Sequence, residues 1–148
     1  MTNDLKILFD SSVLICAMVE AHPKHNPALS WLKRAKDKEF RFLVSAHSLL
    51  EIYSVLTTAP FKPNISPATA KKLIETNITK YATIQSLTPN EYSRLLESIT
   101  SLELKGGIVY DALIFECAKK SKADKIITSN AADFLRLNID HSLEIISL

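Results

Sequence analysis

Glycine is almost missing from this chain: its 148 residues hold two, Gly106 and Gly107, side by side. A loop that cradles phosphate needs separated glycines where the backbone meets the anion. Walker A and GxGxxG sites are therefore excluded, and a GxSxG nucleophile elbow with them. Cysteine is equally scarce. Cys16 and Cys117 both lie in apolar stretches without CxxC or metal-ligand spacing, so they read as small core residues of a reduced protein. The expected compartment is the cytoplasm. Long apolar runs are lacking too, since the longest, Val13 to Val19, falls far short of the roughly 20 residues that a membrane helix needs. Asp4 and Lys6 precede any apolar run, and neither a signal peptide nor a membrane span is expected. Nor is there an excess of one charge. Lys+Arg 18 against Asp+Glu 16 leaves +2, too even to mark a polybasic surface for nucleic acid or membrane.

What is present fits one globular domain over 1–148, with 47% hydrophobic residues to build its core. Five short β-like runs stand out: Leu5–Phe9, Phe40–Val44, Ala82–Leu87, Lys125–Thr128 and Leu143–Leu148. Helical patterns fill most of the gaps. Asn26-Pro27 places a cap before a first-turn proline, Ser66-Pro67 repeats it, and Thr88-Pro89-Asn90-Glu91 adds the glutamate of a capping box. Strands that alternate with helices predict an α/β fold. Its expected form is a three-layer α/β/α sandwich around a mostly parallel sheet of about five strands, because parallel strands need helical crossovers.

The informative acids are those embedded in apolar sequence. Asp10 ends the first strand in ILFDSSVLI, Glu51 sits in SLLEIYSVL, Asp111 opens the most apolar helix in YDALIFECA, and Asp133 follows the KIIT strand in TSNAADF. In a parallel sheet the strand-end loops gather at the carboxyl edge, where ligands bind at the point of strand-order reversal. Four carboxylates brought together there repel and raise one another's pKa unless a divalent cation neutralises them. A cluster without His or Cys suits oxygen-loving Mg²⁺ or Mn²⁺ and not zinc.

Each acid also has a plainer explanation. Asp10 before Ser11 and Ser12 is a ready helix cap; Glu51 can snorkel from a helix rim; Asp111 suits a helix dipole; Asn130-x-x-Asp133 resembles a cap with an acid at the third helical position. Their joint placement, more than any one of them, points to a site. Other features are weaker. His22-x-x-His25 is interrupted by Pro23 and reads as a pair of surface histidines. His47 and His141 have no evident nucleophile to serve. Lys33-Arg34-Ala35-Lys36, Lys71-Lys72 and Lys119-Lys120-Ser121-Lys122 fit solvated helix faces, and Trp31 fits the core.

Those four motifs, in this order and spacing, resemble the PIN-domain ribonucleases, and in particular the VapC-type toxins of bacterial and archaeal toxin–antitoxin pairs. The resemblance implies a Mg²⁺- or Mn²⁺-dependent endoribonuclease on a parallel sheet with its first strand central. It also implies a homodimer and inhibition by a small antitoxin protein. Asp10, Glu51 and Asp111 match the family's first three acids. At the fourth, the family often has Asp two residues after the strand's Thr; here Thr128-Ser129-Asn130 offers Asn, and Asp133 is the nearest carboxylate. Catalysis would need no nucleophilic side chain, because metal held by the carboxylates activates a water and clamps the phosphate. Ser12, Thr128 and Asn130 would orient a water or a phosphate oxygen. Two alternatives stand beside this one. A phosphoryl-transfer domain would use Asp10 as nucleophile but lacks the usual second Asp, Ser12 standing in its place. An inactive PIN-like module would bind RNA or a partner, and Asn130 is the feature that suggests it.

Overall fold

The computed structural model describes residues 4–148. Strand β1 (Lys6–Phe9) leads into α1 (Ser11–Met18), and α2 (His25–Lys36) returns the chain to β2 (Arg41–Ser45). Next come α3 (Ala46–Thr58) and α4 (Pro67–Ile74), and a π-helical turn over Glu75–Thr79 delivers the short β3 (Thr83–Gln85). The second half runs α5 (Pro89–Ser101), α6 (Ile108–Lys120), β4 (Lys125–Thr128), α7 (Ala131–Leu137) and β5 (Glu144–Ser147).

The sheet order is β3-β2-β1-β4-β5, and each pairing in it is parallel. Side chains alternate across a strand. Ile7, Phe9, Phe42, Val44 and Ile127 therefore pack with residues of α1 to α4, whereas Leu8, Leu43 and Ile126 pack with residues of α5 to α7. These are the three layers expected. Because both faces are covered, the strands need no polar side and read as nearly unbroken apolar runs. Cys16 and Cys117 are buried and unpaired within these two layers. Trp31 packs on the α1 to α4 side, its ring lying under the Arg34 guanidinium at 4.3 Å. Among the described residues no helix is long and apolar enough to cross a membrane.

Two of the three expected helix starts are as read. The Ser66 hydroxyl accepts the Thr69 N–H at 3.2 Å, and Thr88 and Glu91 exchange both bonds of a capping box, at 3.2 and 2.8 Å. The third needs correction. α2 begins at His25, one residue before Asn26, and its cap position is Lys24 with no side-chain hydrogen bond. A tertiary contact sets this start: His25 Nδ1 lies 2.9 Å from the Cys16 carbonyl oxygen, while the preceding His22 accepts the Lys24 N–H at 3.0 Å. Pro27 falls at the third helical position, still among residues whose N–H has no partner within the helix. The histidines expected at the surface are half-buried and tie α2 to the end of α1.

β1 and β4 are neighbours, yet the chain leaves β1 toward β2 on one side and later continues from β4 to β5 on the other. The crevice beyond their carboxyl ends is the point of strand-order reversal.

Candidate active site

Asp10 stands at that crevice, one residue past β1. Its N–H donates to the Ile127 carbonyl at 3.0 Å, which continues the β1–β4 pairing. Its two carboxylate oxygens have separate tasks. Oδ1 accepts the Ser11 N–H at 2.9 Å and so caps α1. Oδ2 accepts the Ser12 hydroxyl at 2.7 Å and the Thr128 hydroxyl at 2.8 Å. Those hydroxyls accept in turn: Ser12 Oγ from the Ser129 N–H at 3.0 Å, and Thr128 Oγ1 from the Asn130 N–H at 2.9 Å. A closed network therefore joins the loops after β1 and β4. Asp10 is 2% exposed; burial pushes its carboxyl above the usual range, and the hydrogen bonds from Ser12, Thr128 and Ser11 oppose that rise.

The other three acids come from three helices. Glu51 lies on the second turn of α3, Asp111 on the first turn of α6 and Asp133 on the first turn of α7. Burial raises the Glu51 carboxyl, the Asp10 charge raises it further, and His47 pulls the other way. His47 Nε2 stands 3.2 Å from Glu51 Oε2. The pair is at ion-pair distance but outside hydrogen-bond angles, which leaves Oε2 a buried oxygen with no hydrogen bond. Asp111 is pushed up to about 7. Burial contributes most, followed by the charges of Asp10 and Asp133, a side-chain hydrogen bond with Asp133, and the charge of Glu51. Asp111 thus lies within electrostatic reach of the other three predicted acids, and Glu51 within reach of Asp10. Among the described residues, however, no three His, Cys, Asp or Glu side chains are already drawn together around one cation-sized space. The cluster is open.

Asn130 occupies the cap position of α7 without capping it through its side chain. It joins the network by its backbone N–H, while Asp133 is the residue that faces Asp111. Ser12 and Thr128 act on Asp10 itself. The basic runs are partly committed to helix faces, as in Lys71–Glu75 at 2.9 Å and Lys120–Glu91 at 2.7 Å.

Two residues at this edge have no role in the sequence reading. His47, four residues before Glu51 on α3, is one, and the i, i+4 spacing was the available signal. Tyr110, beside Asp111, is the other; its ring lies against His47, a contact between α3 and α6 that no local pattern encodes. Beneath them the buried Ser11 and Ser48 hydroxyls bond at 2.8 Å and join α1 to α3.

Comparison with known proteins places this arrangement in context. The family profile described as PIN domain matches residues 7–139. Ribonuclease VapC27 of Mycobacterium tuberculosis is 30% identical over 115 residues, which is 78% of this chain and 78% of that protein. Among solved structures, VapBC2 from Rickettsia felis, bound to a DNA fragment from its promoter, superposes with a TM-score of 0.65. The match has 15% identity and covers 96% of this chain and 98% of that one. VapC20 of Mycobacterium tuberculosis, a sarcin-ricin loop cleaving toxin, superposes with a TM-score of 0.64 at 14% identity, over 81% and 86% of the two chains. The structural matches share the three-layer fold that builds the β1–β4 crevice.

Proposed function

We propose, from the premise that this chain belongs to the PIN-domain family, that it is a divalent-metal-dependent endoribonuclease and the toxin of a toxin–antitoxin pair. One observation carries the reading: acids from four separate elements gather at the strand-order reversal, where burial first, and the charges of the other three next, raise Asp111 to about 7. Repulsion of this kind weakens a fold, and such perturbed groups concentrate at functional sites. The identity to a protein named as a ribonuclease supports the same conclusion.

The donor set suits a hard cation. It is made of oxygen, and Glu51 Oε2 is buried without a hydrogen bond, its one charged neighbour being His47 at 3.2 Å. Asp10, Glu51, Asp111 and Asp133 are the residues that would hold the ion. When bound there, Mg²⁺ or Mn²⁺ supplies the charge that makes a water nucleophilic near neutral pH and clamps the scissile phosphate. The chain supplies the rest. Ser12, Thr128 and the Ser11 N–H fix both oxygens of Asp10 in advance, so little reorganisation is left for the reaction. The raised Asp111 carboxyl would give up its proton on taking up ligand duty. The Asn130 side chain, which is not spent on capping, is placed to orient a water or a phosphate oxygen.

The expected result is RNA cleavage that requires Mn²⁺ or Mg²⁺ and stops on addition of EDTA. Asp133→Ala separates a ligand from a helix-start acid. As a ligand, its loss weakens Mn²⁺ affinity by at least the roughly tenfold that even an outer partner contributes, and Asn130→Asp tightens binding. As a helix-start acid, its loss costs on the order of 1 kcal/mol of stability and leaves metal affinity at the wild-type value. Isothermal titration with Mn²⁺ and a cleavage time course distinguish the two.

The antitoxin of this reading lays an apolar or basic segment across the acidic edge, where a cationic side chain takes the place of the metal's charge. The toxin itself is a homodimer. A dimeric mass by light scattering and a small protein that co-purifies from the native host are expected; a monomer at micromolar concentration with nothing bound counts against both.

A further inference from the structure

The His47 ring has two neighbours, and together they build something the acids alone do not. It stacks flat on Tyr110, with ring centroids 5.1 Å apart and planes inclined by 2°, while its Nε2 stands 3.2 Å from Glu51. The ring is thus held from both sides. Tyr110 adjoins Asp111 in sequence and is 56% exposed. With centroids 5.1 Å apart the parallel rings are offset, so His47 backs only part of the Tyr110 ring and the residue stays open to solvent. An aromatic ring already held in place loses little rotamer freedom when something stacks on it.

The surroundings say what that is. At about 100° per residue around α6, Asp111 lies between Tyr110 on one side and Ile108 on the other. On the Ile108 side a cleft of about 560 Å³ is lined by Lys105 and Arg136, together with Glu103. A strand crossing Asp111 therefore passes from a pair of cations, which suit phosphates, to an aromatic face, which suits any base. Bases inside an A-form duplex have no free face to offer.

We propose that Tyr110, backed by His47, is a stacking platform for an unpaired nucleobase next to the scissile phosphate. This rests on the ribonuclease reading above, and the test keeps the two apart. Affinity is measured in EDTA by fluorescence anisotropy for a labelled single-stranded oligoribonucleotide, for an abasic strand of the same length and charge, and for a duplex. Wild type binds the base-bearing strand about tenfold more tightly than the abasic one. Tyr110→Ala abolishes that ratio and leaves abasic binding, which depends on phosphate charge, where it was. Tyr110→Trp restores the ratio, and His47→Ala lowers it. Circular dichroism confirms that each variant is folded.

Equal wild-type affinity for the two single strands overturns the platform. So does a Tyr110→Ala variant that keeps the ratio, or a wild type that prefers the duplex. Addition of Mn²⁺ then tests the other reading by itself. A wild type that prefers bases but cuts nothing keeps the platform and removes the nuclease, whereas one that cuts RNA but ignores bases does the reverse.

Discussion

Asp10→Asn is expected to abolish RNA cleavage without unfolding the protein. The carboxylate contributes several kcal/mol of charge stabilisation through the ion it helps to hold, and at about 1.4 kcal/mol per tenfold this is a loss on the order of a hundred- to thousandfold in rate. The fold survives because asparagine keeps an oxygen for the Ser11 N–H, the bond that caps α1. Its amide can donate to the Ser12 and Thr128 hydroxyls, which turn to accept. A buried charge disappears at the same time. The melting temperature of the metal-free variant is therefore equal to or above that of wild type. Asp10→Ala behaves differently: it strands the cap N–H and two hydroxyls, and costs about 1–2 kcal/mol or more. Cleavage rates and thermal melts of both variants provide the check, and full activity in Asp10→Asn rules out Asp10 as a metal ligand.

The second expected result concerns stability against pH in the metal-free protein. Asp111 in the folded state is held at about 7, above its ordinary value of 3.8. Through that window the native chain binds more protons than the unfolded one, so stability falls as pH rises. The contribution is complete below about 4 and lost by pH 8. Three pKa units correspond to about 4 kcal/mol, and solvent screening of a half-buried group reduces this to about 2 kcal/mol. In a chain of this size that is a fall of roughly 4–8 °C in melting temperature. Asp111→Asn is neutral throughout and should flatten the slope to the part that the raised Asp10 and Glu51 carboxyls contribute, with a higher melting temperature than wild type at pH 8. Identical slopes for the two proteins would mean that the proton resides elsewhere.

The fold was largely legible because its signals are local. Four of the five strands form within the run that announced them and β2 passes its run by one residue, to Ser45, while Ser66 and Thr88 cap as their residue types require. The start of α2 was misjudged by two residues because it depends on His25 reaching the Cys16 carbonyl, a contact between elements. The four acids could be singled out as charges in apolar surroundings, and the structure brings them to one edge. For Asp10 the sequence offered cap or site as alternatives, whereas the structure gives one oxygen to the cap and the other to Thr128 and Ser12. His47 and Tyr110 stayed silent because stacking between α3 and α6 leaves no periodic trace in either helix.

The hydrogen bond from Thr128 to Asp10 joins residues 118 positions apart. Contacts of such long range form late, after the intervening chain has paid its loop-closure entropy. On the ribosome Asp10 emerges well before β4 and waits, without the hydroxyl that holds its second oxygen, until β4 has docked beside β1. Asp133 follows later still. A nascent or truncated chain that ends before β4 therefore carries Asp10, Glu51 and Asp111 but no assembled site, and the chemistry of the site waits for β4 and α7.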